Sequence, residues 1–561
     1  MRERDELYQR WLRQVPQAPE TPPWKRLDFS QPSSFFSLLM CCDGVALSHI
    51  NPTRDSVRNQ SFPFWELHLV SSSAIRRERL RGMVRGLKRI SVSAPDRLRL
   101  RGTHVAYLTP GDILDPHALF FMHEALLREP DLDAVYTDED RIDERDWRFD
   151  PWFKPGWSPE LLLSQNYVNR LCAVSVTSAK AANVAHMRHG NASDFDLLLR
   201  LAARGGRVHR CPRIASHVLS TSWRRRLDET RRRIEARLIV DHFAERGIEA
   251  KVESSSDGAS RLVRFGITGT PIVSIIIPFK DKPELLERCV GSILKRTRYP
   301  YYEVVLVSNN SEQAETERVV RGLSQGRRIR AYKRDVPFNY SAINNWAARR
   351  AIGDYLLFLN NDTEVIDGRW LEFMLGYAQL PEIGAVGAKL LFPDGTIQHA
   401  GVILGMSGMA SHIFSRQPEA HTYKRLASVV RNYLAVTGAC LMVQQEKFWG
   451  VGGFDEDFVL CGGDVALCLS LVSNGYRNVY QPDAVLVHRE KATRGSQIPA
   501  GDYTASFRAY QPYLKHGDPY YNPNLSLVTK DCTIRLEEEQ GYVELEKLYG
   551  ARQIATSREA R

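Results

Sequence analysis

Apolar residues between positions 273 and 359 follow two different periods, and the alternation between them predicts strands and helices. Short segments made up mostly of apolar residues, which are typical of buried strands, occur at 273–278, 302–308 and 355–359. Between the first two runs, residues 284–297 place their apolar side chains at the three- and four-residue spacing of a helix. The order of strand, helix, strand, helix and strand predicts an α/β fold with a mostly parallel sheet covered by helices.

Polar residues follow the third of these strands directly, since Asn360, Asn361 and Asp362 come immediately after Leu359. Parallel sheets bind ligands beyond the carboxyl ends of their strands, so these side chains are predicted to lie at a ligand-binding edge. A carboxylate at such an edge suits a divalent cation that is also bound to phosphate oxygens. The alternative is an Asx turn that leads into the next element.

The first half of the chain repeats features of the second half, which predicts a duplicated domain. Three blocks recur in the same order, namely 62–74 with 299–311, 102–112 with 353–363, and 193–212 with 463–482. We therefore predict two tandem Rossmann-like α/β units. The expected divisions are an N-terminal tail at 1–30, a first unit at 31–252, a linker at 253–271, a second unit at 272–505 and a C-terminal extension at 506–561.

Composition narrows the class of protein. A chain of 561 residues is too long for one hydrophobic core, which agrees with two units. The apolar runs are too short to span a bilayer, the N-terminus lacks a signal-peptide pattern, and the nine cysteines lack zinc-binding spacing. These features predict a cytoplasmic protein whose cysteines are reduced and mostly buried.

The net charge of +10 is concentrated in two basic segments, 75–102 and 223–237. Such segments are either solvated helix faces or surfaces for anionic partners such as lipid headgroups and diphosphates. A nucleic-acid partner is not expected, because no recognisable binding motif accompanies the charge. If the two segments bind anionic partners, we expect a peripheral contact with the anionic inner face of the cytoplasmic membrane. The sequence leaves the oligomeric state open.

Segments between about 271 and 500 resemble the family 2 glycosyltransferases with the GT-A fold. In the order of that family the chain carries "VSIIIPFKD", "YYEVVLVSNNS", "GDYLLFLNNDTEV", "VTGACLMV", "GGFDEDFVLCGGDVALCL" and "PDAVLVHREKATRG". In the first half, "YTDEDRID" and "FKPGWSPELLLSQNY" resemble the N-terminal unit of bacterial tandem, rhamnosyltransferase-like enzymes that assemble O-antigen and other surface polysaccharides. The resemblance implies two tandem GT-A-like units, of which the second is catalytic.

The resemblance also implies the inverting transfer of a sugar from a nucleotide-diphospho-sugar donor to a glycan or lipid-linked saccharide acceptor. It assigns the catalytic base to Asp464 and the divalent cation, Mn²⁺ or Mg²⁺, to Asp362 and His488. The nucleotide-sugar-binding residues that it implies are Pro278, Phe279, Lys280, Asp281, Asn309, Asn310, Ser311, Asn345, Asn360, Asn361 and Arg494. From the residues alone, Asp464 could instead be a helix N-cap and His488 an ordinary polar loop residue.

The first half departs from the family pattern on the donor side. At the positions of Asp362 and Asn345 it has Gly111 and Ala94, whereas Asp194 keeps the position of the catalytic base. We therefore predict a degenerate first unit with a scaffolding, acceptor-binding or dimerisation role, and an active site in the second unit. The competing hypotheses are a non-catalytic carbohydrate-binding or assembly protein on a degenerate fold, and an enzyme with two active sites, which Gly111 and Ala94 disfavour.

Overall fold

The computed structural model describes residues 2–15, 34–183, 187–220, 222–255, 258, 260–489 and 498–539. These residues form two compact units. Unit 1 comprises the described residues up to Val252 together with 522–525 and 534–538, and unit 2 comprises those of 253–521, 526–533 and 539. Each unit is built on one large, mostly parallel sheet with helices packed against it. The predicted α/β fold with two tandem units is confirmed.

Unit 1 contains a nine-stranded sheet in the order β3-β2-β1-β4-β8-β6-β9-β5, with β7 beside β6. Its strands are β1 Phe36–Cys41, β2 Trp65–Val70, β3 Ile90–Ser93, β4 His104–Leu108, β5 Asp112–Leu114, β6 Ala134–Ile142, β7 Arg148–Trp152, β8 Cys172–Ser175 and β9 Val208–Leu219. Its helices are α1 Arg2–Gln14, α2 Asn51–Arg58, α3 Ala74–Met83, α4 Ala118–Arg128, α5 Pro159–Ser164, α6 Val176–Ala181, α7 Ser193–Ala203 and α8 Ser222–Glu245.

The chain continues through β10 (Ala250–Ser254) and β11 (Arg261–Phe265) into the sheet of unit 2. The strands that follow are β12 Val273–Phe279, β13 Tyr302–Ser308, β14 Ile329–Lys333, β15 Tyr355–Leu359, β16 Thr363–Val365, β17 Ile383–Leu391, β18 Ile397–His399, β19 Val402–Leu404, β20 Ala410–His412, β21 Arg431–Tyr433, β22 Cys440–Gln444 and β23 Arg477–His488. The helices are α9 Pro283–Arg296, α10 Ala314–Leu323, α11 Tyr340–Ala348, α12 Trp370–Ala378, α13 Gln445–Gly450, α14 Gly463–Ser473 and α15 Ala500–His516.

The two sheets share one topology, which is the structural counterpart of the sequence repeat. The order in unit 2 is β14-β13-β12-β15-β22-β17-β23-β16, and it matches the order in unit 1 strand for strand. A polar contact is repeated as well: Ser274 Oγ donates to Glu303 and accepts from the backbone N–H of Gly353. In unit 1 the same contact is made by Ser37, Glu66 and Gly102. A Cβ at Gly353 would lie 2.6 Å from the backbone nitrogen of Ser274, so this approach requires glycine.

The core of unit 2 brings the polar strand ends to one edge. The side chains of β15 are buried at all five positions, so both faces of this strand are covered. Strands β12 and β13 are parallel and pair Phe279 with Ser308, while β12 and β15 are parallel and pair Ile276 with Phe358. The segments that follow these three strands therefore leave the sheet on the same side, as the sequence predicts.

The hydropathy of the helices is relevant to how the chain could contact a membrane. Within the described ranges, no helix combines the length and the apolar content that crossing a bilayer requires. The peripheral contact expected from the basic segments stays a prediction. All nine cysteines are free thiols, and eight of them are buried, Cys461 being partly exposed.

Candidate active site

A cavity of about 910 Å³ opens in unit 2 at the edge where β15 ends. Four of the residues predicted for the site line it, namely Asn360, Asp362, Asp464 and His488. A volume of this size accommodates a ligand larger than a monosaccharide. The structure thus brings together polar groups that lie as far apart as 128 positions in the sequence.

Asp362 and His488 meet because two strands pair. Strand β16 runs antiparallel to β23 and places Thr363 opposite His488, so the residue before β16 lies beside the imidazole. The Nε2 atom of His488 is 3.0 Å from Oδ1 of Asp362 and 3.3 Å from Nδ2 of Asn360. Asp362 and His488 are both buried. Burial of a carboxylate is costly unless an opposite charge lies nearby, so this pair is a candidate cation site.

Gln398, on β18, determines which nitrogen of His488 faces Asp362. The Gln398 Oε1 lies 2.5 Å from His488 Nδ1, and an amide oxygen can only accept, so Nδ1 carries the proton. The Asn360 amide donates to Nε2, so this nitrogen presents its lone pair toward the Asp362 carboxylate. Two acceptors 3.0 Å apart repel each other, and either a proton on Nε2 or a metal cation bound by both atoms removes the repulsion. The hydrogen bond from His488 Nδ1 to Gln398 is the kind of contact that orients metal-binding histidines.

The donor set therefore fits a divalent cation. A carboxylate oxygen suits Mg²⁺ and Mn²⁺, and an imidazole nitrogen favours transition metals, so the pair of Asp362 and His488 favours Mn²⁺ over Mg²⁺. In the part of the chain that the structure describes, no three His, Cys, Asp or Glu side chains converge on one point. Phosphate oxygens or water would complete the coordination, which is usual for cations that act on nucleotides.

Asp464 reaches the cavity from the first turn of α14. This helix begins at Gly463, and its N-cap is Gly462 in the left-handed conformation, with φ of 87°. Asp464 is therefore not the N-cap. Its Oδ2 accepts a hydrogen bond of 2.7 Å from the backbone N–H of Gly438, and its Oδ1 accepts one of 2.9 Å from Val465. These bonds hold the carboxylate in one orientation at the wall of the cavity.

Asp502, on α15, fixes the loop that leads to Asp464. Its carboxylate accepts hydrogen bonds of 2.8–2.9 Å from three consecutive backbone N–H groups, those of Val459, Leu460 and Cys461. Asp502 is fully buried. Asp502 could not be recognised from the sequence, because a lone aspartate in the first turn of a helix is also typical of an ordinary helix terminus. The structure assigns it a positioning role for the segment before α14.

We expect Asp502→Ala to lower turnover by about 10–100-fold, because three buried N–H groups lose their acceptor and the loop before Asp464 relaxes. Asp502→Asn keeps one acceptor oxygen and should give an intermediate loss. Steady-state transfer kinetics and thermal unfolding measure the two effects. Thr504→Ala is the matched control, since its hydroxyl donates only to Ala500 of the same helix. Unchanged turnover in the alanine variant would contradict the positioning role.

Two of the segments predicted for the nucleotide sugar, Pro278–Asp281 and Asn309–Ser311, lie together but do not line the cavity. Among the described residues that line it, none belongs to the Pro278–Asp281 or Asn309–Ser311 segments. Asp281 instead accepts hydrogen bonds from the backbone at the start of α10, and its own N–H donates to Ser311 Oγ. The Asn309 amide donates to the backbone carbonyls of residues 334 and 336. These bonds shape the edge beyond β12 and β13, and a nucleotide-binding role for it stays a proposal.

Asn345 is buried and holds a loop. Its Nδ2 donates to the carbonyl of Phe454 at 2.8 Å and to Glu456 at 3.0 Å, while its Oδ1 accepts from the N–H of Phe454. Asn361 is buried beside Asp362 in the turn after β15. Arg494, also predicted to contact the nucleotide sugar, lies outside the described residues.

Unit 1 has replaced the groups that line the cavity of unit 2. Gly111 stands in the place of Asp362, and the register of β5 with β9, which pairs Asp112 with Val218, puts a valine where His488 stands in unit 2. Asp194 remains at the start of α7, but Arg231 Nη2 donates to both of its carboxylate oxygens, at 2.8 and 2.7 Å. Arg231 thus occupies both oxygens of this carboxylate, while burial raises the pKa of Asp194.

We expect Asp194→Asn to leave turnover nearly unchanged and to lower the free energy of unfolding by about 3 kcal/mol, because the buried Arg231 loses a charged partner. Urea unfolding and transfer kinetics on the same preparation separate the two effects. Asp131→Asn, an exposed carboxylate of unit 1, is the control. If turnover falls by a larger factor than the fraction of folded protein, the active site lies in unit 1 and not in unit 2.

The class of protein follows from the similarity of the chain to known sequences. Residues 274–450 match the family model described as Glycosyl transferase family 2. A Myxococcus xanthus protein described as O-antigen biosynthesis protein RfbC is 44% identical over 452 residues, which cover 79% of this chain and 35% of the relative. Unit 2 therefore contains a segment that matches family 2 of the glycosyltransferases, and the chain spans about a third of the length of the Myxococcus relative.

Two further comparisons are with more distant proteins. The N-acetylglucosaminyl-diphospho-decaprenol L-rhamnosyltransferase of Mycobacterium tuberculosis is 27% identical over 261 residues, which cover 44% of this chain and 83% of the relative. The crystal structure of GalNAc-T7 with UDP, GalNAc and Mn²⁺ aligns with a TM-score of 0.36 and 17% identity, and it covers 43% of this chain and 48% of its own.

Proposed function

We propose that this protein is an inverting glycosyltransferase that moves a sugar from a nucleotide-diphospho-sugar to a glycan or lipid-linked acceptor during assembly of a bacterial surface polysaccharide. The observation that carries the proposal is the convergence of Asp362, His488 and Asp464 on a cavity of the unit that matches family 2. The description of the Myxococcus relative supports the polysaccharide, and that of the Mycobacterium relative supports a rhamnosyl donor and a lipid-diphosphate acceptor.

The proposed chemistry assigns proton transfer to Asp464. A sugar hydroxyl is a poor nucleophile near neutral pH, and a positioned carboxylate accelerates its attack by taking the proton as the new bond forms. The bond between the hydroxyl oxygen and C1 of the donor sugar forms while the bond from C1 to the phosphate oxygen breaks. The proton goes to Asp464, and the single displacement inverts the configuration at C1. Gly438 holds the carboxylate in place for this step.

Asp362 and His488 would hold a divalent cation in the same cavity, with Gln398 keeping the lone pair of His488 Nε2 turned toward it. When bound, such a cation neutralises negative charge on the leaving nucleotide diphosphate. The role of unit 1 in this proposal is non-catalytic, because among its described residues Gly111 and Val218 stand in place of the cation ligands and Arg231 holds the carboxylate of Asp194.

The experiment that tests the proposal is a mass-spectrometric screen of the full chain. The protein is incubated with Mn²⁺ or Mg²⁺, with UDP-, GDP- and dTDP-linked sugars, and with a polyprenyl-diphospho-N-acetylglucosamine acceptor. A mass increase of one sugar on the acceptor supports transfer, and NMR of the anomeric proton of the product tests inversion. If no donor gives product with either metal on any saccharide acceptor, the non-catalytic carbohydrate-binding hypothesis replaces this one.

A further inference from the structure

Lys530 is a cationic residue of the cavity that the proposed transfer does not use. It lies in the segment 526–533, which belongs to unit 2 and follows α15 in the chain. Lys530 lines the same cavity as Asp362 and Asp464 and is partly buried there. The lining of the cavity therefore includes a lysine close to the groups that the proposed chemistry requires.

Side-chain hydrogen bonds give this segment a defined conformation. The Ser526 hydroxyl accepts from the backbone N–H of Thr529 at 3.2 Å. The Asp531 carboxylate accepts from the hydroxyl of Thr529 at 2.7 Å and from the N–H and the hydroxyl of Thr533 at 2.9 and 2.6 Å. Lys530 lies between these contacts, so its backbone is held in place although it belongs to no helix or strand.

Backbone hydrogen bonds attach the segment to the wall of the cavity. The N–H of Phe414 donates to the carbonyl of Lys530 at 2.6 Å, and that of Ser407 donates to the carbonyl of Leu527 at 2.9 Å. Phe414 has φ of 61°, and Arg416, which also lines the cavity, has φ of 70°. Residues other than glycine keep this left-handed conformation only where the surrounding structure holds them. Lys530 is thus fixed to a closely constrained turn of the cavity wall.

The contacts of Lys530 differ from those of the arginine in the same lining. Arg416 stacks on the ring of Phe392 and pairs with Asp394 at 3.7 Å. Among the residues that the structure describes, the ammonium of Lys530 makes neither an ion pair nor a hydrogen bond. A partly buried ammonium is stabilised when an anion binds beside it, and the anionic groups of the proposed substrates are phosphates.

We propose that Lys530 is a diphosphate-binding residue, whose ammonium donates to an oxygen of the phosphate that adjoins a sugar. The inference rests on the proposed glycosyl transfer. The diphosphate belongs either to the nucleotide, as the leaving group, or to the lipid-linked acceptor. On the nucleotide, the ammonium stabilises negative charge that develops as the bond from C1 to the phosphate oxygen breaks. On the acceptor, it holds the saccharide near Asp464.

Calorimetric titrations of the full chain at constant Mg²⁺ test the nucleotide as the source. Lys530→Met should bind UDP, GDP or dTDP, whichever the wild type binds, about 10–100-fold more weakly, because a charge-assisted hydrogen bond is lost. The affinity for the corresponding monophosphate, which lacks the second phosphate, should not change. Lys530→Arg keeps the positive charge and should restore most of the affinity. Lys295→Met, which removes an exposed lysine of α9 outside the cavity, is the control.

Titrations with farnesyl diphosphate and farnesyl monophosphate, without nucleotide, test the acceptor as the source. A loss of affinity in Lys530→Met that is confined to farnesyl diphosphate assigns Lys530 to the lipid diphosphate, and one confined to the nucleoside diphosphate assigns it to the leaving group. Unchanged affinity for both diphosphates, or no binding of either to the wild type, overturns the inference. An equal loss for monophosphates and diphosphates also overturns it, because it indicates a merely structural role.

These titrations do not depend on transfer, so they separate the inference from the proposed function. If the protein transfers sugar but binds both diphosphates equally well with and without Lys530, the inference is wrong and the function stands. If no transfer is found but diphosphate binding depends on Lys530, the function is wrong and the diphosphate site stands.

Discussion

Replacing Asp464 with asparagine is expected to lower the turnover of sugar transfer by about 10²–10⁴-fold, the usual contribution of a general base, while donor affinity changes little. The amide cannot take a proton from the acceptor hydroxyl. Its single acceptor oxygen can keep only one of the two bonds that Asp464 makes with the N–H groups of Gly438 and Val465. Initial rates at saturating donor measure the chemical step, and calorimetric titration measures donor binding.

The matched control for this variant is Asp457→Asn, an exposed carboxylate of the same unit. It should transfer at the wild-type rate. Thermal unfolding of both variants establishes that each is folded when assayed. If Asp464→Asn transfers as fast as the control, the proton goes elsewhere and the proposed base is wrong. If neither variant nor the wild type transfers any sugar, the result supports the non-catalytic hypothesis.

The second large effect is expected from Asp362→Ala, which should abolish the dependence of nucleoside diphosphate binding on a divalent cation. Titration of UDP, GDP and dTDP into the wild type should give binding with Mn²⁺ and much weaker binding with a chelator. In the variant the two titrations should agree. The loss of affinity with Mn²⁺ should exceed the 10–100-fold that is typical when a residue supporting a metal ligand is removed.

Gln398→Leu provides an internal comparison, because it removes the acceptor of His488 Nδ1–H without removing a proposed ligand. We expect this variant to bind the cation about 10–100-fold more weakly than the wild type. Asp367→Asn is the control, since this carboxylate is partly exposed and contacts the neighbouring Arg369. Cation-dependent binding that survives in Asp362→Ala would show that the cation is held by other groups, and the assignment of Asp362 would be wrong.

The sequence by itself determined the sheet and the duplication, because both depend on patterns that are local or repeated. The strand predicted at 355–359 is Tyr355–Leu359, and the helix predicted at 284–297 is Pro283–Arg296. The spacing of apolar residues indicates which side of a helix or strand faces the core, and this spacing depends only on the residues of that segment. The order of strands in a parallel sheet then places the strand ends at one edge.

The sequence also selected Asp362, Asp464 and His488, which the structure places around one cavity. It could not decide whether Asp464 is a helix N-cap or a functional carboxylate, since an aspartate in the first helical turn is typical of both. The structure shows that Gly462, and not Asp464, is the N-cap of α14, and that the Asp464 carboxylate accepts a hydrogen bond of 2.7 Å from the N–H of Gly438 in a distant segment.

Only the tertiary structure decided the partners of these groups. Examples are Gln398 with His488, Arg231 with Asp194, and the carboxylate of Asp502 with the loop before α14. In each pair, nothing in the sequence distinguishes one of the partners from an ordinary polar surface residue. The contacts join elements that are far apart in the chain and that come together through strand pairing and helix packing. Local periodicity carries no record of such pairs, so the environment of each functional group follows only from the assembled fold.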